Sequence, residues 1–300
     1  MTAARRLLLV HAHPDDETIG TGATMAHYAA TGAQVTLVTC TLGEEGEVLV
    51  PALAQLTADQ ADQLGGWRIA ELCRAMAELG VTDHRFLGGA GRFRDSGMMG
   101  TPANRRPRAF WRAGEDTELF RAAVTALVEV IREVRPQVMV SYDEVGGYGH
   151  PDHIMAHRVA TAATAAAAQP GHPASGAPWP VSKFYWIAMP RSAMQRQLAA
   201  LRAAADQPFE LPASVDEISS VVADDLVTTV IHAPDQQAAK SQALAAHATQ
   251  VTVAGEFFAL SNNLGQQVVG TEYFRLASGR PGGARDADGR ETDLFGGLPV

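Results

Sequence analysis

The sequence predicts an α/β protein built on a Rossmann-like, doubly wound and mostly parallel sheet. Through the first two-thirds of the 300 residues, short apolar or β-branched runs alternate with segments of helical spacing, a pattern typical of parallel βαβ units. The last third is less regular. We therefore expect a Rossmann-like domain over residues 1–170 and a smaller C-terminal α+β subdomain over residues 171–300 that packs on the sheet.

The first four elements predict two βα units. Leu7–Val10 is a continuous apolar run, which indicates a strand buried on both faces, and Gly20–Ala30 follows as a helix. Val35–Thr41 is a β-branched run and predicts the second strand. Ala58–Leu79 has apolar residues at helical spacing and is followed by Gly80, so it predicts a helix that ends there.

The next elements flank a long loop. His84–Leu87 predicts a short third strand. Residues 88–114 are rich in glycine, proline and arginine and predict a loop of the length that is usually functional or mobile. Glu115–Val134 has one apolar helical face, Val138–Ser141 predicts the fourth strand, and His153–Ala168 predicts the helix that follows it.

The C-terminal part is predicted to contain both strands and helices. Lys183–Ala188 and Leu226–Ile231 indicate strands, whereas Ser192–Ala204 and Asp235–Ala248 indicate helices. The tail over residues 279–289 is rich in glycine, arginine and aspartate, and we expect it to be mobile. We expect this part to wall the functional site, because segments that connect regular elements often carry specificity.

Composition and charge exclude several classes of function. The formal net charge of −9 argues against binding long nucleic acid or an anionic membrane. The short basic run over residues 105–108 is interpreted as a solvated loop. No apolar run approaches the length of a membrane span, and no signal-peptide region precedes the first strand. Cys40 and Cys73 are interpreted as buried reduced thiols, so we expect a cytoplasmic protein.

Two clusters of ionisable residues follow predicted strands. His13-Pro14-Asp15-Asp16-Glu17 comes directly after the first strand, and His150-Pro151-Asp152-His153 follows the strand Val138–Ser141. Ligands of open α/β sheets bind outside the carboxyl ends of the strands, so both clusters are expected at one edge. Each cluster alone is typical of a helix cap or a turn. Their common position predicts one metal site assembled from two parts of the fold.

The residue types suit a catalytic metal site with an open position. His13, Asp16 and His153 supply a His₂Asp set of the kind that zinc prefers. Iron(II) accepts the same donors, so we expect one Zn²⁺ per subunit with Fe²⁺ as the alternative. Asp15 lies between two of these residues and must point elsewhere, where it can act as general base on a bound water.

The second cluster offers supporting groups. His150 can protonate a leaving nitrogen or stabilise an oxyanion, and Asp152 can fix the tautomer of a histidine. Tyr148 stands in the glycine-rich turn over residues 146–149, and its hydroxyl can donate to a developing oxyanion. His11 alternates with His13 along the strand and is expected to be a core histidine. For His247, a structural role and a role in the site are equally favoured.

The two clusters resemble the paired motifs of the PIG-L/LmbE-type zinc N-deacetylases, and the similarity covers most of the chain. The loop over residues 41–47 resembles the loop after the second strand of that family. Four segments resemble the actinobacterial subgroup that deacetylates N-acetylglucosaminyl-inositol in mycothiol biosynthesis; they are Gln55–Asp59, Gln63–Gly66, Leu87–Met98 and Ala246–Gln250.

This resemblance implies roles for the site residues. It implies zinc on His13, Asp16 and His153, Asp15 as general base, and assistance from His150, Tyr148 and Asp152. It also implies that the sugar–inositol pocket is lined by Glu47, Arg68, Asp95 and Met98. Carboxylates and a guanidinium suit polyol hydroxyls, although a salt bridge or a loop-ordering contact is the alternative for Glu47, Arg68 and Asp95.

The resemblance predicts a metal-dependent amidohydrolase that releases acetate from a small amino-sugar–inositol substrate. The alternatives are a mycothiol S-conjugate amidase or another N-acetyl amino-sugar deacetylase, which would use the same chemistry in a different pocket. From another class, a non-catalytic Rossmann-like binding module would need a phosphate-binding turn after the first strand, where this chain has carboxylates. Whether the chain forms a homo-oligomer is left open.

Overall fold

The computed structural model describes residues 4–204, 208–218 and 220–300. Eleven strands and seven helices lie in these ranges. Strands β1 to β11 span Arg6–His11, Gln34–Thr39, Asp83–Phe86, Val138–Ser141, Lys183–Pro190, Val221–Val222, Thr229–His232, Thr252–Ala254, Phe257–Ala259, Gln266–Gln267 and Thr271–Ser278. Helices α1 to α7 span Asp16–Ala30, Leu64–Glu78, Thr117–Val134, Gly146–Gly149, Pro151–Ala167, Arg191–Ala203 and Gln237–Ala246.

The main sheet has the order β3-β2-β1-β4-β5-β11-β7, and β6 pairs with β5 outside this path. The five strands from β3 to β5 are parallel, whereas β11 is antiparallel to both of its neighbours. A separate antiparallel sheet joins β8, β9 and β10. The predicted Rossmann-like, mostly parallel sheet is therefore confirmed. No helix of the described residues has the length and apolar character needed to cross a membrane.

Helices cover both faces of the sheet. Leu8 and Val10 of β1 face one core with side chains of α3 and α5, and Leu7 and Leu9 face the other core with side chains of α1 and α2. All four residues are fully buried. Burial on both faces explains why β1 is a continuous apolar run rather than an alternating one.

The predicted helix from Ala58 was wrong at its start, because α2 begins only at Leu64. Residues 57–63 form turns in which the Thr57 carbonyl accepts from the amides of Gln60 and Asp62. The side chain of Asp62 accepts two hydrogen bonds from Arg94, at 2.6 and 3.1 Å. This tertiary contact competes with helix propensity at the N-terminal side of α2.

The C-terminal part contributes directly to the main sheet. Strands β5, β7 and β11 extend the parallel strands, so residues from both sides of position 170 share one sheet. The boundary between residues 1–170 and 171–300 stays a prediction. The mobility expected of residues 279–289 stays a prediction, but the chain after them returns to the protein, since Leu294 and Phe295 are almost completely buried in the core beside α1 and α2. Cys40 is buried as expected, but Cys73 is exposed, so that part of the prediction was wrong.

Candidate active site

The two ionisable clusters meet where the strand order reverses. β1 and β4 are neighbours in the middle of the sheet, and each cluster follows the carboxyl end of one of these strands. The ring centroids of His13 and His153 lie 5.4 Å apart, although 140 positions separate the residues. This is the position at which open α/β sheets bind their ligands.

Three donor atoms converge in a way that fits a metal ion. The Asp16 Oδ2 atom lies 3.1 Å from His13 Nδ1 and 3.2 Å from His153 Nε2. A tetrahedral site with bonds of about 2.0 Å separates neighbouring donors by about 3.3 Å. Although the buried His153 Nε2 lies close to Asp16, it makes no hydrogen bond of good geometry with any of the described residues. A cation is the missing partner that these three side chains would suit.

Further ionisable groups surround His13. The ligand atoms of His13, His150 and His153 lie within 4.8 Å of one another, and so do those of His13, Asp95 and Asp152. Burial opposes protonation of His13, but Asp95, Asp152 and Asp16 outweigh it and raise the pKa of the imidazole well above its ordinary value. The surroundings of His13 therefore favour positive charge, which is the condition for holding a divalent cation.

Asp152 orients His13. Its Oδ2 atom lies 3.2 Å from His13 Nε2 and accepts the Ser96 backbone amide at 2.8 Å. With Nε2 hydrogen-bonded to a carboxylate, Nδ1 of His13 is the nitrogen that faces Asp16. The amide of Ser96 also ties the loop over residues 88–114 to the site, a contact that the sequence did not indicate.

Tyr142 is another residue whose part in the site the sequence did not indicate. Its ring stacks on that of His153 with centroids 4.2 Å apart, and its hydroxyl accepts the backbone amide of Ala12 at 3.0 Å. The side chain thus fixes the orientation of His153 and links β4 to the end of β1. Its position directly after the apolar run of β4 was the available signal.

His150 and Tyr148 lie beside these groups. His150 Nδ1 accepts the Asp152 amide at 3.1 Å, which assigns the proton of the neutral ring to Nε2. Burial, with His13 and His153 nearby, lowers the pKa of His150 to about 3. The Tyr148 ring stands edge-on to His153 at 4.9 Å. Tyr148 is 46% exposed, but desolvation of its hydroxyl, together with the nearby Asp16, raises the pKa of Tyr148 above its ordinary value. Both side chains are therefore neutral hydrogen-bond donors at pH 7.

Asp15 is held by Arg68 at the edge of this cluster. Arg68 Nη2 donates to Asp15 Oδ2 at 3.0 Å and to the Pro14 carbonyl, and Nη1 donates to the Gly43 carbonyl at 2.8 Å. Burial raises the pKa of Asp15 to about 6, although Arg68 opposes the rise. Arg68 is itself 2% exposed. In this arrangement it contacts the predicted base rather than open solvent.

The other residues predicted to line a substrate pocket occupy different surroundings. Asp95 is buried and accepts the amides of Glu45 and Gly97, which orders the loop next to His13. Glu47 is exposed, and its carbonyl accepts from Gln250. Met98 is 53% exposed on the surface of the loop over residues 88–114.

The two further histidines are both fully buried. His11 Nε2 lies 3.0 Å from Thr21 Oγ1 and His11 Nδ1 lies 3.3 Å from the Tyr142 hydroxyl, as expected for a core histidine. Burial lowers its pKa to about 4. His247 Nε2 lies 2.9 Å from Oε1 of Glu17, the residue that follows Asp16 in the chain.

Gly146 allows the turn that carries Tyr148 to lie against His153. Gly146 has a φ of +66°, and a Cβ there would lie 2.7 Å from the Cβ of His153 and 2.7 Å from the amide nitrogen of Ile154. Gly147 has a similar φ of +71°, but a Cβ there meets nothing within 4 Å. Substitutions at these two glycines therefore distinguish the effect of a strained backbone from that of a collision with His153, a proposed metal ligand.

We expect Gly146→Ala to lower activity much more than Gly147→Ala does. Both changes carry the cost of a left-handed backbone, about 1–2 kcal/mol. Only Gly146→Ala also displaces His153, so thermal unfolding and metal content should both report a larger loss. Equal losses in the two variants would show that the close contact with His153 is unimportant.

Comparison with known proteins agrees with this geometry. The family model described as GlcNAc-PI de-N-acetylase (PIG-L) matches residues 8–164, which include both clusters. A 1D-myo-inositol 2-acetamido-2-deoxy-α-D-glucopyranoside deacetylase of Geodermatophilus obscurus is 60% identical over 301 aligned positions, and the alignment covers 100% of each chain.

Solved structures share the fold at low sequence identity. The 4-carboxy-2-hydroxymuconate hydratase GalB of Pseudomonas putida is 16% identical with a TM-score of 0.59, covering 94% of this chain and 100% of its own. The N,N'-diacetylchitobiose deacetylase of Pyrococcus horikoshii is 17% identical with a TM-score of 0.53, covering 82% of this chain and 70% of its own. Because one is a hydratase and the other a deacetylase, the fold alone does not determine the reaction.

Proposed function

This chain belongs to the PIG-L family of de-N-acetylases, and we propose that it hydrolyses the N-acetyl group of N-acetylglucosaminyl-inositol to glucosaminyl-inositol and acetate. The observation that carries the proposal is the full-length 60% identity to a deacetylase of that name. The convergence of both His/Asp clusters supports it independently. As a family member, the chain is an enzyme that hydrolyses an N-acetyl amide.

We assign the metal site to His13, Asp16 and His153, with zinc as the proposed ion and iron(II) as the alternative that metal analysis distinguishes. A divalent cation held by these three residues would supply Lewis-acid chemistry, which polarises an acetyl carbonyl and makes water easier to deprotonate. The remaining steps fall to side chains of the chain. Asp152 and Tyr142 keep the two imidazole rings in place.

Asp15 has the position and the protonation state that a general base needs. With a pKa of about 6 it is ionised at neutral pH and accepts the proton of the attacking water. The amide carbonyl then becomes a tetrahedral oxyanion, towards which the neutral Tyr148 hydroxyl and His150 Nε2–H donate. Asp15, now protonated, returns its proton to the leaving amine, because the lowered pKa of His150 makes that imidazole a poor proton source.

Arg68 has contacts that suggest a different role from substrate binding. We propose that it positions Asp15 rather than binding the sugar directly, since its guanidinium is already committed to Asp15 and two backbone carbonyls. Glu47 and Met98 stay proposed substrate contacts on exposed loops, and Asp95 is proposed to order the loop beside His13. The two free cysteines and the biosynthetic reaction fit the proposed cytoplasmic location.

A side-by-side rate comparison tests the substrate. We expect kcat/KM for acetate release from N-acetylglucosaminyl-inositol to exceed that for cleavage of a mycothiol S-conjugate. Free N-acetylglucosamine, which lacks the inositol, is the matched control and should react more slowly, because remote binding energy contributes to catalysis. A preference for the conjugate would identify the chain as an amidase, and equal rates on N-acetylglucosamine would remove the inositol from the proposal.

A further inference from the structure

The backbone of Asp15 adopts a conformation that L-residues rarely occupy. Its φ is 115° and its ψ is −37°, at the residue that precedes α1. Such a conformation costs about 1–3 kcal/mol and persists only when surrounding contacts impose it. From this backbone the Asp15 carboxylate contacts Arg68, whereas Asp16 Oδ2 contacts His13 and His153, so maintenance of this conformation matters for the proposed reaction.

Glu17 is the side chain that holds the amide of Asp15. Its Oε2 atom accepts the Asp15 backbone N–H at 2.9 Å, while the Asp15 carbonyl accepts from the amides of Thr18 and Ile19 at the start of α1. Glu17 is fully buried, so water does not compete for this hydrogen bond. The peptide unit that sets φ of Asp15 is thus anchored by a carboxylate two residues later.

His247 in turn fixes Glu17. The His247 Nε2 atom lies 2.9 Å from Glu17 Oε1, and the Thr18 hydroxyl donates to the same oxygen at 2.6 Å. His247 is fully buried and lies directly after α7. A buried carboxylate–imidazole pair is a weak source of stability, because apolar side chains of similar volume often replace a buried polar pair without loss. This makes a role in placing Asp15 a better account of the pair than stability.

The same segment also supports the second contact of Asp15. Thr249, two residues after His247, donates its hydroxyl to Glu71 Oε2 at 2.6 Å and its amide to Glu71 Oε1 at 3.0 Å. Glu71 lies on α2, one turn after Arg68, which binds the Asp15 carboxylate. Residues 247–249 therefore contact both the carboxylate that holds the Asp15 amide and the helix that holds its side chain.

We propose that Glu17 and His247 are positioning residues for Asp15. They hold its backbone in the strained conformation from which its carboxylate serves the reaction, and the C-terminal part of the chain thereby completes a site built by the N-terminal part. The proposal rests on the proposed function, in which Asp15 is the general base.

A second buried pair provides a matched control. Lys240 and Glu272 also join α7 to α1, since Lys240 donates to Glu272 at 2.7 Å and to the Ile19 carbonyl at 2.9 Å. Glu272 accepts the amides of Ala23 and Thr24 in the middle of α1. Both residues are almost completely buried. This pair resembles Glu17 and His247 in burial and in joining α7 to α1, but, apart from the Ile19 carbonyl, its contacts with α1 lie in the middle of the helix.

The test compares two apolar replacements, Glu17→Met/His247→Leu and Lys240→Met/Glu272→Met. We expect kcat to fall by about 10- to 100-fold in the first variant, because displacement of a catalytic group by about 1 Å has effects of this size. Its KM and metal content should stay as in the unchanged protein. The second variant should keep kcat even where its melting temperature changes equally. His247→Gln, which can present a donor at the position of Nε2, should restore most of kcat.

Exchange of the Asp15 amide hydrogen, followed by NMR on the metal-loaded protein, gives a readout that does not depend on turnover. It should become faster in Glu17→Met/His247→Leu and stay slow in the control. Unchanged kcat and exchange in the first variant, or equal losses of kcat in both, would overturn the positioning role. An active Asp15→Asn variant would instead refute the base assignment itself, so the two failures are distinguishable. If the double variant does not fold, Glu17→Asp, whose shorter side chain withdraws from the Asp15 amide, should lower kcat and speed the exchange, whereas His247→Gln should change neither greatly.

Discussion

Asp15→Asn is expected to lower kcat by about 10²- to 10⁴-fold, the contribution that a positioned general base usually makes. Asparagine keeps the shape of the side chain and can still accept from Arg68, which contacts Asp15 Oδ2 at 3.0 Å. It has no carboxylate to take the proton of the attacking water. Acetate release measured at substrate saturation checks this result.

The neighbouring carboxylate is the matched control for this change. Asp16→Asn should lose the metal ion, because the Oδ2 atom of Asp16 lies between His13 and His153. Asp15→Asn should retain it. Full activity in Asp15→Asn, or loss of metal from both variants, would contradict the separate roles of these two adjacent residues.

Removal of His153, a proposed metal ligand, is expected to have an equally large effect. His153→Ala should bind no metal and lose activity by about 10³-fold or more, because a Lewis acid contributes several kcal/mol and each tenfold corresponds to about 1.4 kcal/mol. Chelation should inactivate the unchanged protein to a similar level, and added zinc should restore it. Metal analysis of each sample, together with acetate release, measures both effects.

His157 offers a control on the same helix. It lies one turn after His153 on α5, and its Nδ1 atom lies 3.0 Å from the Tyr142 carbonyl. His157→Gln can preserve this contact and should keep both metal and activity. A metal content of one ion per chain in His153→Ala would show that His153 is not a ligand.

The sequence was sufficient to predict the parallel half of the sheet, because β1 and β4 are short apolar runs buried on both faces. It did not indicate that β11 inserts between β5 and β7, since pairing between distant strands leaves no local pattern. The start of α2 was misplaced for a related reason. The Asp62–Arg94 contact that competes with the helix joins residues 32 positions apart.

In the site, too, local motifs could be predicted from the sequence, whereas contacts between distant residues could not. Motif spacing was enough to predict that His13, Asp16 and His153 converge, because the carboxyl ends of β1 and β4 lie side by side. The contacts of Arg68 were not predictable, since a buried guanidinium and a surface one look alike in a sequence. Glu17 was named only as a member of the first ionisable cluster and given no role, because its partner His247 lies 230 positions away.

Metal content and acetate release, measured on one sample purified without oxygen, test the central claim most directly. We predict one divalent ion per chain, acetate release from N-acetylglucosaminyl-inositol in step with metal loading, and one free amine formed for each acetate. Full acetate release from metal-free protein, or a fully loaded protein that releases none from this substrate, would contradict a metal-dependent deacetylase built from the His13 and His153 clusters.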